Sequence, residues 1–169
     1  MVIVKNGSWW LGVRLAYVVV FTGLGLALAP LNIPIGPTKA FPGQHFVNGL
    51  AGLVLGPWAV AVAALISAIR LMLGLGTVFA FPGSIPGALV VGLASVVFGR
   101  RPWVVLLEPL GTLGVGLPLS IYVVAPALGL GGRFAAALIP VALGWALSTG
   151  IGTAGAYAAA LALRRLGKI

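Results

Sequence analysis

The chain has 169 residues, of which 61% are hydrophobic and 7% charged, against roughly 25% charged in an ordinary soluble domain. That inventory cannot cover a water-facing surface, and a mean hydropathy of +1.20 places the exterior in lipid. The formal charge of +9 comes from cations scattered at the ends of apolar runs, which set topology rather than form a basic face for nucleic acid, and the absence of cysteine excludes disulfides, thiolate metal sites and cysteine nucleophiles.

At about 20 residues per span the chain holds five or six helices in one membrane domain covering residues 1–169, with no room for a soluble domain. Residues 1–12 read as an interfacial lead-in, with Trp9 and Trp10 suited to the headgroup region. Lys5 and Arg14 ahead of an apolar run ending Ala27-Leu28-Ala29 mimic a secretory signal, but Pro30 directly after it hinders cleavage. The run from about Leu11 to Ala29 is therefore read as a retained first span. Gly23 with Ala27, and Gly25 with Ala29, put small residues on one face, where a second helix can approach closely. The competing reading is that glycine and alanine are simply common in membrane helices.

A loop from Leu31 to Gly43 follows, and the stretch Pro34–Asn48 crowds three prolines, two glycines, Lys39, Gln44, Asn48 and the single histidine, His45, between apolar runs. Polar groups are expensive in that setting, so the stretch is the first candidate for function. Helices are predicted over about Gln44 to Leu55, closed by Gly56-Pro57, and from there to about Leu73. Gly74–Ser84 forms a second loop. Further helices are expected over about Ile85 to Phe98, about Trp103 to Leu128, and about Phe134 to Leu163, the last kinked at Pro140.

With six spans, both termini lie on one side. Lys5, Arg14, Arg100, Arg101, Arg164, Arg165 and Lys168 then share that side, while Lys39, Arg70 and Arg133 fall opposite. The positive-inside rule puts both termini in the cytoplasm and the two loops outside. Those loops echo one another, because Ala40-Phe-Pro-Gly43 recurs as Ala80-Phe-Pro-Gly83, each followed by a polar residue, Gln44 or Ser84. Proline fixes the backbone, glycine lets it turn and phenylalanine offers a ring face, so the two copies read as halves of one lid.

What is missing narrows the chemistry. Glu108 is the only acidic residue, so no carboxylate-held metal site can be assembled. The sequence contains no G-x-x-x-x-G-K-[ST] loop for ATP and no serine nucleophile motif, and His45 would be the only available base. The chain reads as a non-enzyme without a cofactor or metal. His45 and Asn48 share a helix face near Gln44 and serve either a small polar ligand or helix capping and interhelical hydrogen bonds. Arg70 either snorkels to headgroups or lines a cavity. Glu108, toward the inner half, is either a functional intramembrane carboxylate or half of an ion pair holding the fold. Trp145 and Ser148 share a face of the last helix and either complete a pocket or pack.

Pro34-Ile-Gly-Pro-Thr-Lys-Ala-Phe-Pro-Gly-Gln-His-Phe-Val-Asn48, Leu55-Gly-Pro-Trp58, and Arg70 with Gly74-Leu-Gly-Thr-Val-Phe-Ala-Phe-Pro-Gly-Ser84 resemble the ThiW family, as does Glu108 with Gly111-Thr112. The likeness covers roughly residues 13 to 155. It implies an all-α integral membrane protein of six transmembrane helices in the cell membrane. ThiW proteins are substrate-binding (S) components of energy-coupling factor (ECF) vitamin transporters, which join a transmembrane coupling (T) subunit and two ABC-type ATPases. The implied substrate is hydroxyethylthiazole, a thiamine precursor. The docking pattern of small residues in helix one aligns here with Val19 and Gly23, and Gly23 with Ala27 can substitute for it.

The residues bear on the substrate independently. The outer side offers Lys39, Arg70 and His45 and no acid, which fits a neutral aromatic alcohol better than a thiazolium cation. Phe41, Phe79 and Phe81 would face the ring, while Gln44, Asn48, Thr77 and Ser84 would meet the hydroxyl, with Glu108, Trp145 and Ser148 completing the candidate contacts. Two other readings stand beside this one: an S component for thiamine or a related vitamin, and a stand-alone secondary transporter coupled through Glu108.

Overall fold

The structure is a computed structural model that describes residues 7–35 and 38–169. Lys5, the start of the lead-in, and Gly36–Pro37 of the first loop lie outside the described residues. Among the described residues, five stretches are long and apolar enough to cross a membrane, namely Trp9–Leu28, Pro42–Met72, Val78–Phe98, Pro102–Ala127 and Leu138–Arg165. Large apolar side chains point outward, as lipid requires, with Met72 84% and Val97 72% exposed.

Helix α1 (Gly7–Leu28) buries little beyond Val18, Thr22 and Gly25. An antiparallel ribbon follows, β1 (Ile33–Ile35) with β2 (Thr38–Ala40), pairing Pro34 with Lys39. Sequence reading expects only a loop here. The β-branched Ile33, Ile35 and Thr38 favour extended backbone, and a two-stranded ribbon tolerates Pro34 because both strands are edges.

Helix α2 (Pro42–Leu55) opens with proline in its first turn, where the missing N–H costs nothing. It ends at Gly56, whose φ of 63° is left-handed and favours glycine. The chain reverses there, and α3 (Ala59–Met72) runs back beside α2, so that Gln44 meets Ser67 and Arg70. The long stretch Pro42–Met72 is thus a pair of 14-residue helices. Helix α4 (Ile85–Phe98) has its expected bounds and stops at Gly99, φ 77°.

The fourth stretch, Pro102–Ala127, departs from the plain helix expected. It runs through a 3₁₀ segment (Pro102–Leu107), α5 (Glu108–Gly111), a π turn (Thr112–Gly116), α6 (Leu117–Leu119), a second π turn (Ser120–Val124) and α7 (Ala125–Ala127). Pro118 and Pro126 each follow a π turn. Widening the helix there relieves the clash between each ring and the carbonyl one turn back. The last helix also differs from expectation. Short α8 (Gly131–Ala136) ends at Ala137, and α9 (Leu138–Arg165) then runs for 28 residues. Pro140 breaks the helix upstream instead of kinking it, because its ring would strike the carbonyl of Ala136 in a continuous α-helix.

Helix α2 is enclosed by the others. One side packs Val47 and Ala51 against Val62, Ala63 and Ile66 of α3, with Val18 of α1 in the same cluster. The other packs Leu50 and Leu53 against Val91, Val104, Val105 and Ala156. Close approach depends on small residues. A Cβ on Gly52 would lie 2.7 Å from that of Val91 in α4, and one on Gly152 of α9 would lie 2.7 Å from that of His45.

Candidate functional site

A cavity of about 500 Å³ lies where the ends of these elements converge, a size within the usual range for small-molecule sites. Its first wall comes from β2 and the start of α2, with Lys39, Phe41, Gln44 and His45. The second comes from Arg70 in the last turn of α3 and the following loop, with Leu75, Gly76, Thr77, Phe79, Ala80 and Gly83. The third is Leu130, Arg133 and Phe134 around α8, then Ala137, Val141, Trp145 and Ser148. Both Ala-Phe-Pro-Gly loops therefore contribute to one cavity.

The walls are tied together by hydrogen bonds. Phe41 N–H donates to Ser148 Oγ at 2.7 Å, joining the first loop to α9. Arg70 donates to Gln44 Oε1 and, at 3.4 Å, to the Leu75 carbonyl. The Arg70 guanidinium carbon sits 3.8 Å from the centre of the Phe41 ring, a cation–π contact. Gln44 Nε2 donates to Ser67 Oγ at 3.2 Å, and Ser67 donates to the Ala80 carbonyl at 3.1 Å. Phe79 packs against Phe134 with ring centres 4.4 Å apart and planes tilted by 32°.

A second polar layer lies behind the wall. Glu108 is fully buried, and its Oε1 is 2.8 Å from His45 Nδ1. The same oxygen accepts from Thr112 Oγ1 at 2.8 Å and Asn48 Nδ2 at 3.2 Å. Asn48 also donates to the Ser84 carbonyl at 3.2 Å and accepts from Ser84 Oγ at 3.0 Å. Burying a carboxylate is tolerable only with such donors around it. His45 joins the two layers, because it lines the cavity while its Nδ1 holds Glu108.

Nine of the residues singled out from sequence meet at the cavity: Lys39, Phe41, Gln44, His45, Arg70, Thr77, Phe79, Trp145 and Ser148. Asn48, Ser84 and Glu108 lie behind it, where their hydrogen bonds link α2, α4 and α5. Glu108 and Arg70 do not meet. Glu108 also sits level with the first turns of α2 and α4, against Gly87, and not toward the inner half as expected.

Phe81 is absent from the lining because the two tetrapeptides differ in backbone. Phe41 lies outside the helical region (φ −126°, ψ 73°), whereas Phe81 is helical (φ −66°, ψ −60°) at the end of a 3₁₀ turn, and Phe79 takes the ring position. Val19, Gly23 and Ala27 are exposed on α1, and a Cβ placed on Gly23 has no neighbour within 4 Å among the described residues. Sequence reasoning missed the third wall's Leu130, Arg133, Phe134, Ala137 and Val141. Their signal was Arg133, which the positive-inside rule puts on the same side as the two loops.

No curated protein and no solved structure matches the chain. The family model described as thiamine-precursor transporter protein (ThiW) matches residues 15–166, nearly the whole sequence. Together with its five apolar stretches, that match identifies a multi-pass cell-membrane protein that belongs to the ThiW family of thiamine-precursor transporters.

Proposed function

We propose that this chain is the substrate-capture subunit of an ECF-type importer and that it binds hydroxyethylthiazole from the outside. It crosses the membrane six times with both termini in the cytoplasm. The doubling-back of Pro42–Met72 at Gly56 supports that count. The observation that carries the reading is the cavity itself. Phe41, Phe79, Phe134 and Trp145 offer ring faces to a heteroaromatic, while Gln44, His45 and Ser148 offer hydrogen bonds to a hydroxyl. Transport energy comes from ATP hydrolysed by two partner ATPases, in keeping with a sequence that has no nucleotide-binding loop. The open face of α1 around Val19, Gly23 and Ala27 is the docking surface for the coupling subunit.

The test is mass spectrometry of the small molecule that co-purifies with the protein, paired with calorimetric titration of hydroxyethylthiazole. Binding that weakens at least about tenfold in His45→Ala supports the reading. A bound molecule without a thiazole ring overturns the substrate and leaves the fold untouched. One observation favours a second reading, a stand-alone proton-coupled carrier, since the buried His45–Glu108 pair borders the cavity. Proton-dependent accumulation in cells lacking the ATPases would select it.

A further inference from the structure

We infer that the cavity accepts an anion, with a phosphate group as the counter-ion that Arg70 lacks; this rests on the cavity being the substrate site. Arg70 is 2% exposed, its Nε has no hydrogen-bond partner among the described residues, and its other contacts are the neutral Gln44, the Leu75 carbonyl and the Phe41 ring. A buried full charge is costly without an opposite one. The sequence holds a single acidic side chain, Glu108, and that carboxylate is committed to His45, Asn48 and Thr112. No other side chain in this chain can neutralise Arg70, so the missing negative charge must arrive from outside.

Two further cations stand around the same cavity, the exposed Lys39 and Arg133. Three cations around one cavity, with no carboxylate in its lining, match the charge of about −1.5 to −2 on a phosphate monoester near neutral pH. A hydroxyl-bearing heteroaromatic forms such an ester at its hydroxyl, and the cavity leaves room beyond a single ring. The same phosphate chemistry could come from a phospholipid headgroup reaching in beside Lys39 and Arg133.

The experiment titrates hydroxyethylthiazole, its phosphate monoester and inorganic phosphate into the purified chain in phosphate-free maltoside detergent. The expected result is a monoester bound at least about tenfold tighter than the alcohol. Rising salt, and the exposed pair Lys39→Gln with Arg133→Gln, should reduce that preference, and Arg70→Gln should abolish it. The exposed pair keeps the test valid if Arg70→Gln fails to fold. Repeating the titration in phosphatidylglycerol nanodiscs separates the sources. Monoester affinity that falls there while alcohol affinity holds, with phospholipid co-purifying, assigns the phosphate to lipid. Unchanged monoester affinity assigns it to the soluble ester. An alcohol that binds as tightly as the monoester overturns the anion inference and leaves the thiazole reading standing, whereas binding of neither overturns both.

Discussion

Replacing Glu108 with leucine removes the hub of the layer behind the cavity. Three contacts converge on its Oε1, from His45, Asn48 and Thr112. At about 0.6 kcal/mol for an average interhelical hydrogen bond in a membrane, their loss costs about 2 kcal/mol. Asn48 keeps the Ser84 carbonyl and Thr112 the more distant Gly83 carbonyl, but His45 Nδ1 has no second partner among the described residues. Stranding a buried polar group adds about 1–3 kcal/mol, so the total is about 3–5 kcal/mol. At about 2–4 °C per kcal/mol for a chain of this size, the midpoint of thermal unfolding should fall by roughly 5–20 °C. Glu108→Gln is the control. It keeps an acceptor at Oε1 and places its amide nitrogen where Oε2 already lacks a partner, so its shift should stay within about 1 kcal/mol. Unfolding followed by tryptophan fluorescence in maltoside separates the two. Equal losses in both variants, or none in the leucine variant, would refute the idea that Oε1 organises this layer.

The two tetrapeptides should respond unequally: Phe41→Leu should weaken ligand binding about tenfold in calorimetry, while Phe81→Leu, outside the lining, should leave it within about twofold. Gly87→Ala should destabilise by about 1–3 kcal/mol in the same thermal assay, because its methyl group would strike Glu108 Oε1 and Thr112 Oγ1. A Cβ on Gly23 meets no atom within 4 Å among the described residues, so Gly23→Leu should leave ligand affinity unchanged while co-purification with a coupling subunit is lost; retained co-purification would place the docking surface elsewhere.

Helix α4 was readable because Ile85-Pro86 opens it and Gly99 closes it with a conformation that glycine adopts freely. The loops were readable as partners from the repeated Ala-Phe-Pro-Gly and their assignment to one membrane face. The depth of Glu108 was not, since spans of about 20 residues were assumed. Helix α4 has 14, and the 3₁₀ segment after Arg101 climbs at about 2.0 Å per residue, which brings Glu108 level with Gly87. The identical Ala-Phe-Pro-Gly copies misled for a related reason. A tetrapeptide does not set its own backbone; a strand precedes Phe41 and a 3₁₀ turn precedes Phe81. Apart from Arg133, Trp145 and Ser148, the α8–α9 wall is apolar, and an apolar stretch has no sequence signature that separates it from a lipid-facing surface.

The reversal at Gly56 also has a consequence for the bilayer. Helices α3 and α4 rise only about 21 Å each, yet they meet lipid through Leu65, Leu93 and Val96. Helices α1 and α9, with 22 and 28 residues, rise about 33 Å and about 42 Å. Against a hydrocarbon core of about 30 Å, the molecule wears an uneven hydrophobic belt, short along α3 and α4 and long along α1 and α9. Lipid must thin beside α3 and α4 while α1 and α9 tilt, each ångström of mismatch costing a fraction of a kcal/mol. Such a body has no single upright posture, and the acyl-chain length of the membrane becomes a setting for how readily it leans.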